Sequence, residues 1–223
     1  MKNIFFTAIA LIGTQFSFAQ LTKNVGDYNS LKVYDRIPVE LIQSNSNKVE
    51  VSGDLEKEVD VVNKNGDLKI KMNSLNLMQG SKVKVKVYYK NLYDIQASQG
   101  SMIYSDDKMK SSILKLSSNE GSSIKLDIDT KKVNAKINSG AELILNGDAD
   151  ALTVNANSGG KFYGKTLNTE NASLTTNMGG IIEAKVKESV DAKTRAGGTI
   201  DIYGSPKVKN NKTIAGGKIN FRD

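Results

Sequence analysis

The chain has 223 residues, 31 Lys and Arg against 24 Asp and Glu, a formal charge of +7, and neither His nor Cys. The missing residue types exclude Ser/His/Asp and Cys/His nucleophiles, disulfides and the usual zinc ligand sets. The positive charge is compatible with nucleic-acid binding, but the lysines between residues 82 and 87 alternate with valines, as on the solvated face of a strand. We therefore expect no nucleic-acid partner, whereas an anionic polysaccharide or lipopolysaccharide stays open.

The N-terminus has the pattern of a signal peptide. Lys2 precedes an apolar run over residues 4–12, and Ser17 and Ala19 form the small-x-small motif that signal peptidase reads. This predicts a signal peptide over residues 1–19 with cleavage between Ala19 and Gln20. The apolar run is shorter than the ~20 residues that cross a bilayer. We expect an exported chain with no membrane span, located in the periplasm, on the cell surface or in the medium.

Residues 27–92 alternate like strands but lack a regular repeat, and we assign them to an N-terminal β layer. Asn65-Gly66 favours a tight turn between two of the strands, because this pair readily adopts positive φ. Only Pro38 and Pro206 occur, and no low-complexity linker separates the layer from the C-terminal half of the chain. The candidate strands are residues 31–34, 39–43, 48–51, 59–62, 68–72 and 83–89.

A glycine then returns about every 19 residues, with gaps of 21, 19, 19, 20, 18 and 19. Small or apolar residues stand at the seventh, fifth and third positions before most of these glycines, and another stands three positions after each. A period-2 pattern around a glycine corner, repeated at a fixed interval, is typical of a stacked β-solenoid. The glycines are Gly100, Gly121, Gly140, Gly159, Gly179, Gly197 and Gly216.

The predicted fold is therefore all-β: a right-handed β-solenoid of about 19-residue coils over residues 93–223, preceded by the N-terminal β layer over 27–92, which shares its core. Glycine suits the corners because it reaches positive φ without a Cβ penalty. An asparagine stands two positions before four of the glycines, which indicates either a stacked amide ladder or residues that tolerate left-handed backbone. These structural candidates are Asn119, Asn138, Asn157 and Asn177.

Carboxylates are the remaining residues that could perform acid–base chemistry or bind calcium. They occur as neighbouring pairs at strand ends and turns, which favours a structural role. The calcium-binding nonapeptide of toxin-type solenoids is absent from the sequence. We expect no catalytic residue, metal or cofactor. The pairs are Asp106 with Asp107, Asp127 with Asp129, and Asp148 with Asp150.

Tyrosines are the candidate binding residues, because carbohydrate sites commonly offer an aromatic ring to a sugar face. Tyr104 and Tyr163 lie four positions after their glycines, one step out of phase with the inward row, so both should face outward. Tyr88, Tyr89 and Tyr93 cluster where the two regions meet. A cleft at such a junction is a reasonable ligand site.

The segment AGGTIDIYGSPKV over residues 196–208, followed by AGGKI over 215–219, resembles the closing motif of the head GIN domain family of putative auto-transporter adhesins, common in Bacteroidetes. The runs LKV (31–33), IPVELIQ (37–43) and VEV (49–51) look like the opening of that family. The resemblance covers nearly the whole mature chain. It implies an exported β-solenoid with an adhesive or surface-binding role and no established catalytic residues.

Three functional hypotheses are compatible with these observations. The leading one is a non-enzymatic, exported protein that binds a surface glycan or protein. The second is a carbohydrate-active β-helix enzyme similar in architecture to polysaccharide lyases, for which no cluster of basic and acidic residues recurs on adjacent coils. The third is a structural solenoid that forms homo-oligomers through unpaired ends.

Overall fold

The computed structural model describes residues 21–222, so the expected signal peptide lies outside the described residues. Strands make up most of this part, with short 3₁₀ turns at Glu56–Glu58 and Gly80–Lys82 and no α-helix. The strands are β1 (Leu21–Asn24), β2 (Ser30–Val33), β3 (Pro38–Gln43), β4 (Lys48–Gly53), β5 (Val59–Lys64), β6 (Asp67–Met72), β7 (Val83–Tyr89), β8 (Asp94–Ala97), β9 (Met102–Tyr104), β10 (Met109–Ser118), β11 (Ser123–Ile137), β12 (Glu142–Asn157), β13 (Lys161–Asn177), β14 (Ile181–Arg195), β15 (Thr199–Tyr203), β16 (Val208–Ile214) and β17 (Lys218–Arg222).

From β8 onward the chain winds into coils whose strands pair in parallel with the strands of the next coil. The residue three positions after each glycine pairs with its equivalent one coil away, so that one apolar column runs through the core. The predicted solenoid of about 19-residue coils is confirmed. The fully buried members of this column are Ile103, Ile124, Leu143, Phe162, Ile182 and Ile200.

Each glycine corner uses two left-handed residues. Gly140 has φ 70° and the preceding Ser139 has φ 53°, and the same pairing recurs at the other corners. The N–H of Gly140 donates to the carbonyl of Ser158 in the next coil at 3.1 Å. A Cβ added to Gly140 would meet nothing within 4 Å. Backbone conformation is therefore the reason for glycine here.

The asparagines before the corners form a ladder of side-chain amides. Asn138 donates from Nδ2 to Oδ1 of Asn119 at 2.8 Å, Asn157 donates to Asn138 at 2.9 Å, and Asn177 donates to Asn157 at 2.6 Å. None of the four has positive φ, so the left-handed alternative does not apply to them. The ladder ties four successive coils together beside the corners.

The N-terminal region places its first coil between two later ones. β2 pairs in parallel with both β6 and β8, and β3 pairs in parallel with both β7 and β9. The order of coils in space therefore differs from their order in the chain.

An antiparallel layer covers the N-terminal end of the stack. β4 pairs antiparallel with β7 and β1, and β5 pairs antiparallel with β6. The turn between β5 and β6 is the predicted one, with Asn65 at φ 55° and Gly66 at φ 83°. Because the pairing changes from parallel to antiparallel here, the parallel stack of coils ends at this layer.

A single apolar core extends through the stack. Leu92 and Ile95, on either side of the boundary proposed from the sequence, belong to the same cluster, which extends from Tyr28 to Ile202. Within residues 21–222, no helix has the length and apolarity that a membrane crossing requires.

In the last described coil, made of β16 and β17, β16 has polar residues at inward positions, whereas β17 keeps Ile219 and Phe221 there. Lys209 pairs with Val190 and Asn211 pairs with Ala192 of the preceding coil. All of β16 is exposed. Nζ of Lys209 lies 4.8 Å from the centroid of the Phe221 ring, within the range of a cation–π contact. The inward positions of β16 thus place Lys209 and Asn211 at the edge of the described stack, beside the partly exposed ring of Phe221.

Candidate functional site

A groove opens beside the junction of the N-terminal layer and the regular coils. Its volume is about 480 Å³, within the range of small-ligand sites. One wall is the β7–β8 loop, the other is the first part of β10, and the buried Tyr89 and Leu92 form the floor. The lining residues are Gln43, Tyr89, Lys90, Asn91, Leu92, Tyr93, Lys110, Ser111, Ser112, Ile113 and Lys115.

The β7–β8 loop is fixed at both ends by backbone hydrogen bonds. The N–H of Lys90 donates to Oδ1 of Asn47 at 3.0 Å, and the N–H of Tyr93 donates to the carbonyl of Asn29 at 3.1 Å. The carbonyl of Tyr93 accepts from the N–H of Lys115 at 2.7 Å. This wall is therefore preorganised, and a ligand would not have to order it.

The wall formed by β10 has one unpaired position, as β11 has at Lys131. Ser111 and Ile113 pair with β11, whereas Ser112 between them has no partner in that register. The hydroxyl of Ser111 donates to the carbonyl of Ile113 at 2.9 Å. Ile113 is 46% exposed and Tyr93 is 41% exposed, and both line the groove. Both walls thus offer apolar surface to the groove.

The groove is electropositive. Its lining includes Lys90, Lys110 and Lys115 and no Asp or Glu. Nζ of Lys90 lies 3.6 Å from a carboxylate oxygen of Asp27, an exposed pair. No carboxylate within residues 21–222 lies within ion-pair distance of Lys110 or Lys115. Two ammonium groups are therefore available to an anion.

The floor of the groove is neutral at ordinary pH. Burial, together with the negative charge of Asp107, raises the pKa of the Tyr89 phenol to about 12. The phenol consequently keeps its proton, so that the charge of the groove comes from the lysines on its walls.

The three clustered tyrosines do not form one platform, because Tyr88 and Tyr89 are neighbours on β7 and point to opposite faces. Tyr88 donates from its hydroxyl to Oε2 of Glu50 at 2.8 Å, and Nζ of Lys48 lies 4.2 Å from its ring centroid. Its ring is thus occupied within the protein. Tyr89 is 3% exposed and serves as floor, which leaves Tyr93 as the accessible ring.

Tyr104 and Tyr163 are half-buried on the outer surface of the coils. They lie in one column, separated by Lys125 and Ile144 of the intervening coils. Three coil steps put them about 14 Å apart. The structure brings them neither to each other nor to the groove.

The paired carboxylates are close to a lysine. Nζ of Lys108 lies 3.4 Å from Oδ1 of Asp127 and 4.0 Å from Oδ2 of Asp148. Within the described part of the chain, no group of three or more Asp or Glu residues is arranged to hold a metal ion. Asp127 and Asp148 thus contribute to exposed ion pairs between coils.

Sequence reasoning missed the β10 wall with Lys110, Ile113 and Lys115. One signal was available: the gap between Gly100 and Gly121 is 21 residues, the longest of the series. The register assigns its extra residues to the segment between Tyr104 and Met109, since Tyr104 pairs with Lys125 and Met109 with Ile128. The longer gap therefore indicates an irregular coil just before the β10 residues that line the groove.

The molecule is a β-solenoid protein with a capped N-terminal end and a lateral, electropositive groove. The chain belongs to the family described as "Putative auto-transporter adhesin, head GIN domain", which it matches over residues 27–206. No curated protein matches it.

Solved structures with the same fold come from Bacteroidetes. A "putative adhesin" from Bacteroides fragilis NCTC 9343 has a TM-score of 0.84 at 18% identity, over 93% of this chain and 98% of that one. A "putative adhesin" from Parabacteroides distasonis ATCC 8503 has a TM-score of 0.74 at 19% identity, over 92% and 97%. A "putative lipid binding protein" from the same strain has a TM-score of 0.71 at 16% identity, over 92% and 96%.

Proposed function

We propose that the protein is an exported, non-enzymatic adhesin whose lateral groove binds a glycan. The observation that carries this proposal is that exposed Tyr93 and exposed Ile113 line one groove together with three lysines. The adhesin description of the family supports the class, and the signal-peptide pattern before Gln20 supports export.

A sugar ring suits this geometry because it has both apolar C–H faces and hydroxyl groups. Tyr93 offers a ring face, and Ile113 in the same lining offers a second apolar contact. Asn91, Ser111 and Ser112 line the same groove with amide and hydroxyl groups that donate and accept hydrogen bonds. A purely apolar ligand would leave these polar groups without partners, which is costly.

The charge favours an acidic glycan. Lys110 and Lys115 have no carboxylate partner within residues 21–222, and the lining carries no acid. Ammonium groups form strong, charge-assisted hydrogen bonds with carboxylate or phosphate oxygens. We therefore expect uronate-containing or phosphorylated saccharides to bind better than neutral ones of the same length.

The test is a glycan array probed with purified residues 20–223 at physiological salt, followed by titration of the best acidic hit. Tyr93→Ala should weaken affinity about tenfold through the lost ring contact, and Lys110→Gln/Lys115→Gln should weaken it by about tenfold or more. Tyr163→Ala controls for loss of an outward tyrosine. Lys125→Gln/Lys185→Gln controls for loss of two charges outside the groove.

Equal loss in the groove and control variants would assign binding to general charge and reject the site. Retention of binding by Tyr93→Ala and Lys110→Gln/Lys115→Gln would reject it as well. Release of unsaturated products from a bound uronate polymer would replace the adhesin proposal with the lyase alternative. Selective binding of a protein ligand without any glycan hit would reject the glycan while leaving an adhesive role.

A further inference from the structure

The loop between β6 and β7 exposes apolar side chains that the fold does not use. Leu75 is 87% exposed, Leu77 is 56% exposed and Met78 is 39% exposed. We call residues 73–79 the apolar tip. Core residues flank it on both sides, because Met72 and Gly80 are buried. The tip therefore projects from the body of the solenoid.

Hydrogen bonds hold the base of the apolar tip in one conformation. Oδ1 of Asn73 accepts from the N–H groups of Leu75 and Asn76, each at 3.1 Å. The Asn73 amide also donates to Glu58. The N–H of Gly80 donates to the carbonyl of Asp35 at 3.0 Å. The exposed leucines are thus displayed by a fixed turn.

The apolar tip has a carboxylate at its base, Glu58, which accepts hydrogen bonds from the Asn73 and Asn76 amides, and it has lysines at its edges. No charged residue occurs from Met72 to Ser81, and Lys71 and Lys82 bound this stretch on its two sides. Nζ of Lys82 lies 3.1 Å from Oε1 of Gln79, at the edge of the tip. Lysine next to an inserting apolar element can place its charged end among lipid headgroups while its stem stays in apolar surroundings.

The size of the tip decides between a lipid and a protein partner. A stable protein interface buries about 800 Å² on each partner, with matched shape. Three side chains at the end of a loop provide far less, and a lipid surface needs no shape complementarity. We propose that the apolar tip inserts into the interfacial region of a lipid bilayer and attaches the solenoid to the membrane near its N-terminal end.

This attachment would be weak and reversible. Burying each exposed leucine contributes about a tenfold gain in partitioning or somewhat more. Single acyl chains bind membranes with constants on the order of 10⁴ M⁻¹, and the tip should not exceed that value. The tip and the groove lie at opposite ends of β7, about 20 Å apart. The proposal therefore stands or fails independently of the glycan site.

Tryptophan fluorescence gives a direct test, because the chain contains no Trp. Leu75→Trp should show a blue shift when vesicles of phosphatidylcholine with phosphatidylglycerol are added, and brominated lipids should quench it. Met178→Trp is the matched control: Met178 is 61% exposed at a corner of a regular coil. A shift confined to Leu75→Trp supports insertion, and equal behaviour of the two variants overturns it.

Loss of binding provides the second arm. In vesicle flotation, Leu75→Ser/Leu77→Ser should lower the partition constant about 100-fold, and the bound fraction should fall with it. Met178→Ser should leave it unchanged, and serine fits there because Ser139 and Ser158 occupy the equivalent corners. Failure of the unmodified chain to bind any vesicle overturns the proposal. A second outcome would also overturn it: the unmodified chain binds no vesicles but self-associates, and Leu75→Ser/Leu77→Ser abolishes the self-association. That result would assign the tip to contact with a second copy of the chain.

Discussion

Asn157 donates a hydrogen bond to Asn138 at 2.9 Å across 19 residues of chain, and its own Oδ1 accepts from Asn177 at 2.6 Å. Each interior member of the ladder is therefore held from both sides. Asparagines that are 19 or 20 residues apart in the chain are thus hydrogen-bonded neighbours in adjacent coils, beside the left-handed corners.

Removing an interior member should cost more than removing a terminal one. Asn157→Ala leaves a donor on Asn177 and an acceptor on Asn138 without their partner, and should lower the free energy of unfolding by about 1–3 kcal/mol. Asn119→Ala breaks one ladder bond and should cost about half as much. Urea denaturation measures both, with Asn155→Ala on the outer face of the same coil as control. Equal effects of all three variants would contradict a structural ladder.

Adjacent glycines at one corner should respond differently to alanine. Gly159 has φ 74° with open space around a Cβ, so Gly159→Ala should cost about 1–2 kcal/mol through backbone conformation alone. At Gly160 a Cβ would lie 2.4 Å from the carbonyl oxygen of Ile137 in the preceding coil. Gly160→Ala should therefore destabilise more and lower the thermal midpoint further. The reverse order would show that the coils separate easily.

Alkaline pH should destabilise the protein through buried tyrosines. Burial raises the pKa of Tyr28, and raises that of Tyr89 to about 12. Their neutral forms contribute stability that is fully present below the unfolded pKa near 10 and is lost as pH rises toward the folded values. Each should add a slope of about −1.4 kcal/mol per pH unit above pH 10.

Urea midpoints at pH 8, 10 and 11 test this dependence. Lysines titrate in the same range, so the informative quantity is the difference between the unmodified chain and Tyr28→Phe or Tyr89→Phe. Each phenylalanine variant should show a shallower decline above pH 10. Parallel curves for all three proteins would mean that the tyrosines ionise in the folded state without cost.

The polar inward residues of β16 should keep this end of the described stack from associating with another copy. Lys209→Val/Asn211→Ala gives this coil inward side chains like those of Val190 and Ala192 in the coil before it. An apolar open end with unpaired strand edges is a template for association. We expect concentration-dependent oligomers in sedimentation velocity. The control is Lys212→Val, on the outward row of the same strand, which should sediment like the unmodified chain.

The regular coils were predictable because one glycine and one apolar column recur at nearly constant spacing. In the N-terminal layer the strand bounds were predictable from alternation, but the pairing was not, since no repeat indicates that β2 lies between β6 and β8. The left-handed residue before each glycine has no constant identity: it is Glu120, Ser139 or Met178 at different corners.

The candidate site was predictable only in part. The junction and Tyr93 were accessible from sequence, whereas the wall formed by β10 depends on how the residues between Tyr104 and Met109 are accommodated, which no residue type indicates. Alternation along β7 already placed Tyr88 and Tyr89 on opposite faces, since Val83, Val85 and Val87 share the buried phase with Tyr89. The three tyrosines were grouped by their nearness in the chain, and strand geometry separates them.

Because the first coil lies between two later ones, it can complete its strand pairing only after those later coils have been synthesised. A chain that emerges from its N-terminus presents β2 and β3 long before their neighbours on either side exist. β6 and β7 can cover one side of these strands once residue 89 has been made, and β8 and β9 cover the other side once residue 104 has been made. The first coil therefore becomes the second parallel layer from the capped end, and a nascent chain that stops before residue 104 should stay sensitive to protease.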